Sequence, residues 1–149
     1  MEILNSFAGQ SYSIKDRFNA GLVLSGPEVK SCKSSHVNFK GAYCSFNEGS
    51  YTSLAIKHLY ISPYPPAKRE QKKYDPYRSR ILLLKKNELR KLHSMAEAPG
   101  ATIIPTRIFT KNNFVKLEIA VGIGLKKYDK REKLKKREFN RRKARLVAR

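Results

Sequence analysis

The run "FVKLEIAVGI" constrains this chain more than any other stretch. Val115, Leu117, Ile119, Val121 and Ile123 are large and apolar, while Lys116, Glu118, Ala120 and Gly122 between them are not. Alternation at period two sends one set of side chains to a buried face and the other outward, so the run reads as a half-buried β-strand. The preceding "ATIIPTRIFT" reads as a second strand, and "KNN" at 111–113 as the turn that joins the two into a hairpin. Pro105 has no amide hydrogen to give to a ladder, so it belongs at an edge or a bulge.

The same grammar recurs upstream. "AYCSF" (42–46) and "YTSLAIK" (51–57) flank the compact turn sequence "NEGS", and "LYIS" (59–62) extends this second hairpin. "YSIKDRF" and "GLVL" make a strand pair or one bent strand, with Gly21 at the bend. Two helices fit between the strands. "SGPEVKSCKSS" opens with Ser25 at the N-cap and Glu28 three residues later, the spacing of a capping box. "KNELRKLHSMAEA" places Leu89, Leu92 and Ala96 on one face and is stopped by Pro-Gly. The segment 63–80 is Pro-rich and cationic and reads as a long loop, mobile without a partner. The fold class is therefore mainly β with small helices: a partly closed antiparallel barrel of the oligonucleotide-binding type.

The C-terminal end follows different rules. From Lys126 onward, 13 Lys or Arg stand against Asp129, Glu132 and Glu138, a net of +10 in 24 residues, and the whole 149-residue chain carries +20. The intervals between Leu134, Phe139, Leu146 and Val147 do not repeat at three or four, so no apolar stripe forms. Lys, Arg, Glu and Ala favour a helix. Like charges at i,i+4, such as Lys126–Lys130 and Arg131–Lys135, oppose it. The tail is expected to be disordered when free and helical once an anion neutralises it. The chain divides on this reading into a β-barrel domain at 1–124 and a basic tail at 125–149.

A charge surplus this large calls for a polyanionic partner, with nucleic acid first. No run approaches the roughly 20 apolar residues that span a bilayer, and "MEILNSFAGQSYS" lacks the cationic start and apolar block of a signal peptide. No membrane partner is expected. Cys32 and Cys44, without a secretion signal, read as free thiols in a reducing compartment, which points to the cytoplasm.

Catalytic patterns do not emerge. His36, His58 and His93 lie in no recognised catalytic arrangement. Cys32 and His36 are one helical turn apart, but no second pair completes a zinc site, so neither a metal nor another cofactor is expected. "GIG" at 122–124 lacks the third glycine of a phosphate loop and reads as a flexible exit from the last strand. The aromatic residues are more informative. Tyr12, Tyr60, Tyr64, Tyr74, Tyr77 and Tyr128 lie among cations or in polar loops, where rings can stack on unpaired bases. Tyr128 has Lys126 and Lys127 before it and Asp129, Lys130 and Arg131 after it, with no apolar neighbour to bury it.

Several stretches together carry a resemblance. "FNAGLVLSGPEVKS", "VNFKGAYCSF", "LYISPY", "YDPYRSRILLL" and "LKKYDKRE" occur in an order that resembles the SsrA-binding protein (SmpB) family, the partners of transfer-messenger RNA. The resemblance runs from about Asn5 through the tail. It implies a monomeric cytosolic RNA-binding protein, not an enzyme. Such a protein binds the tRNA-like domain of transfer-messenger RNA and delivers it to ribosomes stalled on messages without a stop codon. Its tail then enters the decoding centre of the small subunit and the empty message channel. The alternative is a ribosomal-type structural protein whose extension threads ribosomal RNA.

The resemblance also implies roles for single residues. Asn5, Tyr12, Lys30 and Lys116 match positions of the family's RNA-binding face, and Gly124 matches the glycine between barrel and tail. Tyr128, Asp129, Lys130 and Arg131 match the decoding-centre segment: a stacking ring, a cap for the induced helix and two phosphate partners. This chain departs from the pattern in places. Asn19 stands where Glu is usual, Pro27 where a larger residue is common, and Lys33 where Arg is common, so the planar fork that contacts a phosphate bidentately is absent there. Leu125 replaces the first lysine before the tail, with Lys126 and Lys127 next to it.

Overall fold

In the computed structural model of the chain, Gly49, Tyr51, Lys126, Ala148 and Arg149 lie outside the described residues, as do the side chains of Lys68, Glu70, residues 127–130, Lys133, Leu146 and Val147. Two of the three longest strands form the expected hairpin, β8 (Ala101–Lys111) and β9 (Phe114–Gly124). Asn112 and Asn113 turn it at φ 52° and 65°, the left-handed values that asparagine tolerates in a tight hairpin. The register slips between Pro105 and Arg107, so the proline sits at a bulge.

β2 (Tyr12–Leu22) pairs with β9 along its length. It is one continuous strand, and its bulge falls between Ile14 and Asp16. Gly21 is instead where β2 meets Leu83: a Cβ there would stand 3.3 Å from the Leu83 Cβ. β4 (Tyr43–Phe46) and β5 (Leu54–Lys57) make the second hairpin. Its turn is longer than "NEGS" because Asn47 and Ser53 bond each other, backbone N to O at 3.0 Å and Nδ2 to Oγ at 2.6 Å, before either strand begins. His58, at φ 60°, turns the chain out of β5. β6 (Tyr60–Ile61) therefore pairs with β3 (Val37–Asn38) in a separate ladder and does not extend the hairpin.

Three strands have no counterpart in the sequence reading: β1 (Glu2–Leu4), on the edge of β8, the short β3, and β7 (Arg80–Leu83), between β5 and β2. With β7 in place the order β8-β4-β5-β7-β2-β9 closes on itself through the β8–β9 pairing, giving an antiparallel barrel. Leu54, Ile56, Ile103, Ile108, Leu117 and Ile119 fill it. Leu89 and Leu92 of α3 (Lys86–Ala96) complete the core, and α1 is a single turn, Ala8–Ser11.

Segment 63–80 is not a free loop. Two 3₁₀ turns cover Pro65–Gln71, and the segment is tied to α2 (Gly26–Lys33) by a buried polar network. Glu28 and Arg80 are both almost fully buried. Glu28 Oε1 accepts from the Ser25 backbone N–H at 3.0 Å, the capping-box contact, and from Arg78; Oε2 accepts from Arg80 Nε at 2.5 Å. The remaining Arg80 donors reach Leu59 O, Arg78 O, Tyr74 Oη and Pro76 O. Burial alone would raise the Glu28 carboxyl, but Arg78, the Ser25 N–H and Arg80 outweigh it and hold the acid at about 2.

The tail is a helix, α4 (Lys127–Val147), the form expected of the neutralised chain. Asp129, expected to cap the induced helix, falls within the span of α4, and its side chain lies outside the described residues.

Candidate nucleic-acid interface

The expected site residues fall into separate groups on the barrel. The first surrounds the root of the tail. Tyr12 opens β2 opposite Gly124, the last residue of β9. A Cβ at Gly122 would stand 2.9 Å from the Tyr12 Cβ, so the bare glycine is what lets the ring lie across β9. The Leu125 N–H donates to Ser11 O at 2.9 Å, which anchors the start of the tail beside α1. Asn5 lies close by, but its side chain is spent internally: Nδ2 donates to Pro105 O at 2.7 Å and Oδ1 accepts from the Phe7 N–H at 3.1 Å. Asn5 and Tyr12 share a hollow of about 270 Å³ with Phe7, Phe39 and Tyr43.

The second group lies on the outer face of the sheet. Exposed Asn19 stands opposite Glu118, and Lys116 opposite Gly21 and Phe109. The Glu118 carboxylate accepts from the Thr106 hydroxyl at 2.6 Å and pairs with Arg107 at 3.3 Å and Arg17 at 3.5 Å. A carboxylate thus sits across the ladder from Asn19, already engaged with two guanidinium groups. Arg107 also lies 4.4 Å from the centre of the Phe109 ring.

Sequence reasoning missed the neighbours of this face. Val23, Ile81 and Leu83 stand exposed on β7 and the chain leaving β2, with Gly21 opposite Leu83 and the Val23 N–H donating to Ile81 O. The signal was present: in "RILLL" only alternate residues can face the core, so β7 must turn Ile81 and Leu83 outward. Such an apolar strip beside Lys116 offers bases a surface and phosphates a cation.

The third group is on α2. Lys30 and Lys33 are both exposed, one helical turn apart. The Lys30 ammonium lies 5.4 Å from the Tyr64 ring centre. Lys33 borders a shallow depression with Met1, Thr110, Asn112 and Asn113. The other tyrosines also separate. Tyr60 and Tyr77 pack on each other at 5.1 Å, whereas Tyr74 is committed to the Glu28 network, its hydroxyl 2.9 Å from Ile61 O and pushed up to about 12, chiefly by burial.

On the tail, Arg131 is exposed on α4. Lys126 lies outside the described residues, as do the side chains of Lys127, Tyr128, Asp129 and Lys130. Among the described residues, no helix is long and apolar enough to cross a membrane.

This arrangement has counterparts among known proteins. The family described as SmpB protein matches residues 3–149. The SsrA-binding protein of Persephonella marina is 42% identical over 137 residues, covering 92% of this chain and 87% of its own. Those of Geobacillus kaustophilus and Latilactobacillus sakei are 39% and 38% identical, covering 92% and 96% of this chain and 85% and 88% of their own. A solved structure described as "tmRNA-SmpB: a journey to the center of the bacterial ribosome" is similar with a TM-score of 0.66 and 34% identity, covering 89% of this chain and 94% of that one. With the family match running over residues 3–149 and relatives 38–42% identical over more than nine-tenths of its length, the chain belongs to the SmpB family.

Proposed function

We propose that this protein binds the tRNA-like domain of a transfer-messenger RNA through its barrel, residues 1–124, and delivers it to stalled ribosomes with its tail, residues 125–149. The observation that carries this reading is the whole-length likeness to SsrA-binding proteins, barrel and tail together. Tyr12 and Gly124 at the tail root, Asn19 and Lys116 on the sheet face, and Lys30 and Lys33 on α2 supply the RNA contacts. Their geometry supports a division of labour. Cations meet phosphates, while Tyr12 and the Val23–Ile81–Leu83 strip offer surfaces to bases.

The tail suits a channel lined by RNA. α4 runs from Lys127 to Val147, and as a helix spans roughly 30 Å. Arg131, Lys135, Arg137, Arg141 and Arg145 are all exposed along it, without an apolar stripe to dock on a protein surface. Tyr128 stacks in the decoding centre, and Lys130 and Arg131 pair with phosphates there. The protein performs no covalent step, acts as a monomer and works in the cytoplasm.

Recovery of RNA bound to the protein from its own cells tests this reading. The expected result is one dominant RNA with a tRNA-like end. Ribosomal RNA in fixed stoichiometry would instead mark a structural ribosomal protein.

A further inference from the structure

The tyrosines of segment 60–80 differ in what holds them. Tyr74 is consumed by the Glu28–Arg80 network. Tyr64 is held by its backbone: Gln71 Oε1 accepts from the Tyr64 N–H at 2.9 Å, and Gln71 Nε2 donates to Tyr64 O at 3.1 Å. The ring is half-buried and lines an open groove of about 1090 Å³. Exposed Pro65 and Pro66 form a stiff wall of that groove, and exposed Arg69 and Lys72 line it. No carboxylate lines it among the described residues. Lys30 reaches over from α2, so the groove joins two elements that the Glu28 network fastens together.

We propose that this groove is an additional binding site for an unpaired nucleotide segment of RNA, apart from the sheet face and the tail. Tyr64 is its stacking platform, and Lys30, Arg69 and Lys72 are its phosphate contacts. The proposal rests on the RNA-binding reading above. The Lys30 ammonium lies over one face of the Tyr64 ring, 5.4 Å from its centre, so a base stacking on that face displaces it toward the phosphate of the same nucleotide. A duplex cannot use the ring, because its bases are already paired and stacked. The prolines and the Gln71 clamp hold the segment before any partner arrives, which lowers the ordering cost of binding. An extended peptide could fill a groove of prolines and an aromatic ring, but it would need an acid at most positions. A single strand carries a phosphate at every nucleotide, which suits a chain of net charge +20.

The test uses the full chain with an oligouridylate of about 12 nucleotides and a duplex RNA of the same length. Salt near roughly 0.15 M limits long-range attraction by the tail. Tyr64→Ala is expected to weaken oligouridylate binding about tenfold and leave duplex binding unchanged, while Tyr64→Phe keeps both. The exposed pair Arg69→Gln with Lys72→Gln should lower the salt slope for oligouridylate by up to about 1.4. A 4-thiouridine strand irradiated on the unsubstituted protein should cross-link to the peptide holding Tyr64. An unsubstituted protein that binds RNA and cross-links only elsewhere overturns the proposal, as does Tyr64→Ala binding oligouridylate like its parent. If Tyr64→Ala weakens binding to poly-glutamate and not to oligouridylate, the groove belongs to an acidic protein partner and the proposal is overturned. If the unsubstituted protein binds neither RNA, the RNA-binding reading fails, and this proposal with it.

Discussion

Arg80 Nε donates to Glu28 Oε2 at 2.5 Å across a sequence separation of 52 residues, with both side chains almost fully out of water. This pair joins the cap of α2 to the first residue of β7. Glu28→Gln leaves Arg78 and Arg80 without their charge partner. Removing one partner of a buried pair typically costs about 3–5 kcal/mol. Urea unfolding of Glu28→Gln should show a loss in this range, and a loss below about 1 kcal/mol would mean the guanidinium groups find other acceptors.

The same carboxylate sets a pH dependence. Its folded value is held at about 2, below the ordinary 4.5, so the folded state binds its proton less readily than the unfolded chain does. The stability it contributes is complete above about 4.5 and is lost as pH falls through about 2. Within that window the loss approaches about 1.4 kcal/mol per pH unit. Glu28→Gln should flatten this part of the curve. An unchanged slope would assign the acid sensitivity to other carboxylates.

The two thiols should be silent in the native protein. Burial pushes Cys32 up to about 12 and Cys44 higher still. Since the thiolate is the reactive form, a disulfide reagent at mild alkaline pH should react slowly until denaturant is added, then with both cysteines. Rapid native reaction of either one contradicts its burial.

Truncation after Gly124 should separate the two proposed activities. Most affinity for the tRNA-like domain should survive, while peptide tagging on stalled ribosomes is abolished. The salt slope of non-specific RNA binding should fall by roughly 0.7–0.9 for each phosphate that the tail no longer neutralises. Tagging by the truncated protein would refute the assignment of ribosome recognition to the tail.

Tyr128→Ala discriminates stacking from packing. Stacking on a base is worth about 1–3 kcal/mol, so the ribosomal step should weaken by roughly tenfold to a hundredfold, with melting and binding to transfer-messenger RNA unchanged. Tyr128→Phe and Tyr128→His keep a flat ring and should retain function. Early melting of Tyr128→Ala, by about 3 kcal/mol or more, would instead place the ring in a packed core.

Local chemistry determined much of this protein. Alternation at 114–123 and a run of two asparagines specify the β8–β9 hairpin, because side-chain period and tolerance of left-handed backbone are properties of neighbouring residues. Ser25 and Glu28 mark the start of α2 for the same reason. The cationic tail and the buried fate of Leu89 and Leu92 were likewise legible in the order of residues. What only the tertiary structure decided are relationships between distant segments. Segment 63–80 reads as a loop because nothing local opposes the repulsion of its cations, yet Glu28 draws Arg78, Arg80 and Tyr74 inward. That anchorage makes Arg80–Leu83 a barrel strand, turns Ile81 and Leu83 outward, and separates Tyr64 from Tyr74 although both stand in the same polar sequence. A carboxylate that caps its own helix and also neutralises two arginines some 50 residues away depends on three-dimensional proximity, which no local pattern encodes.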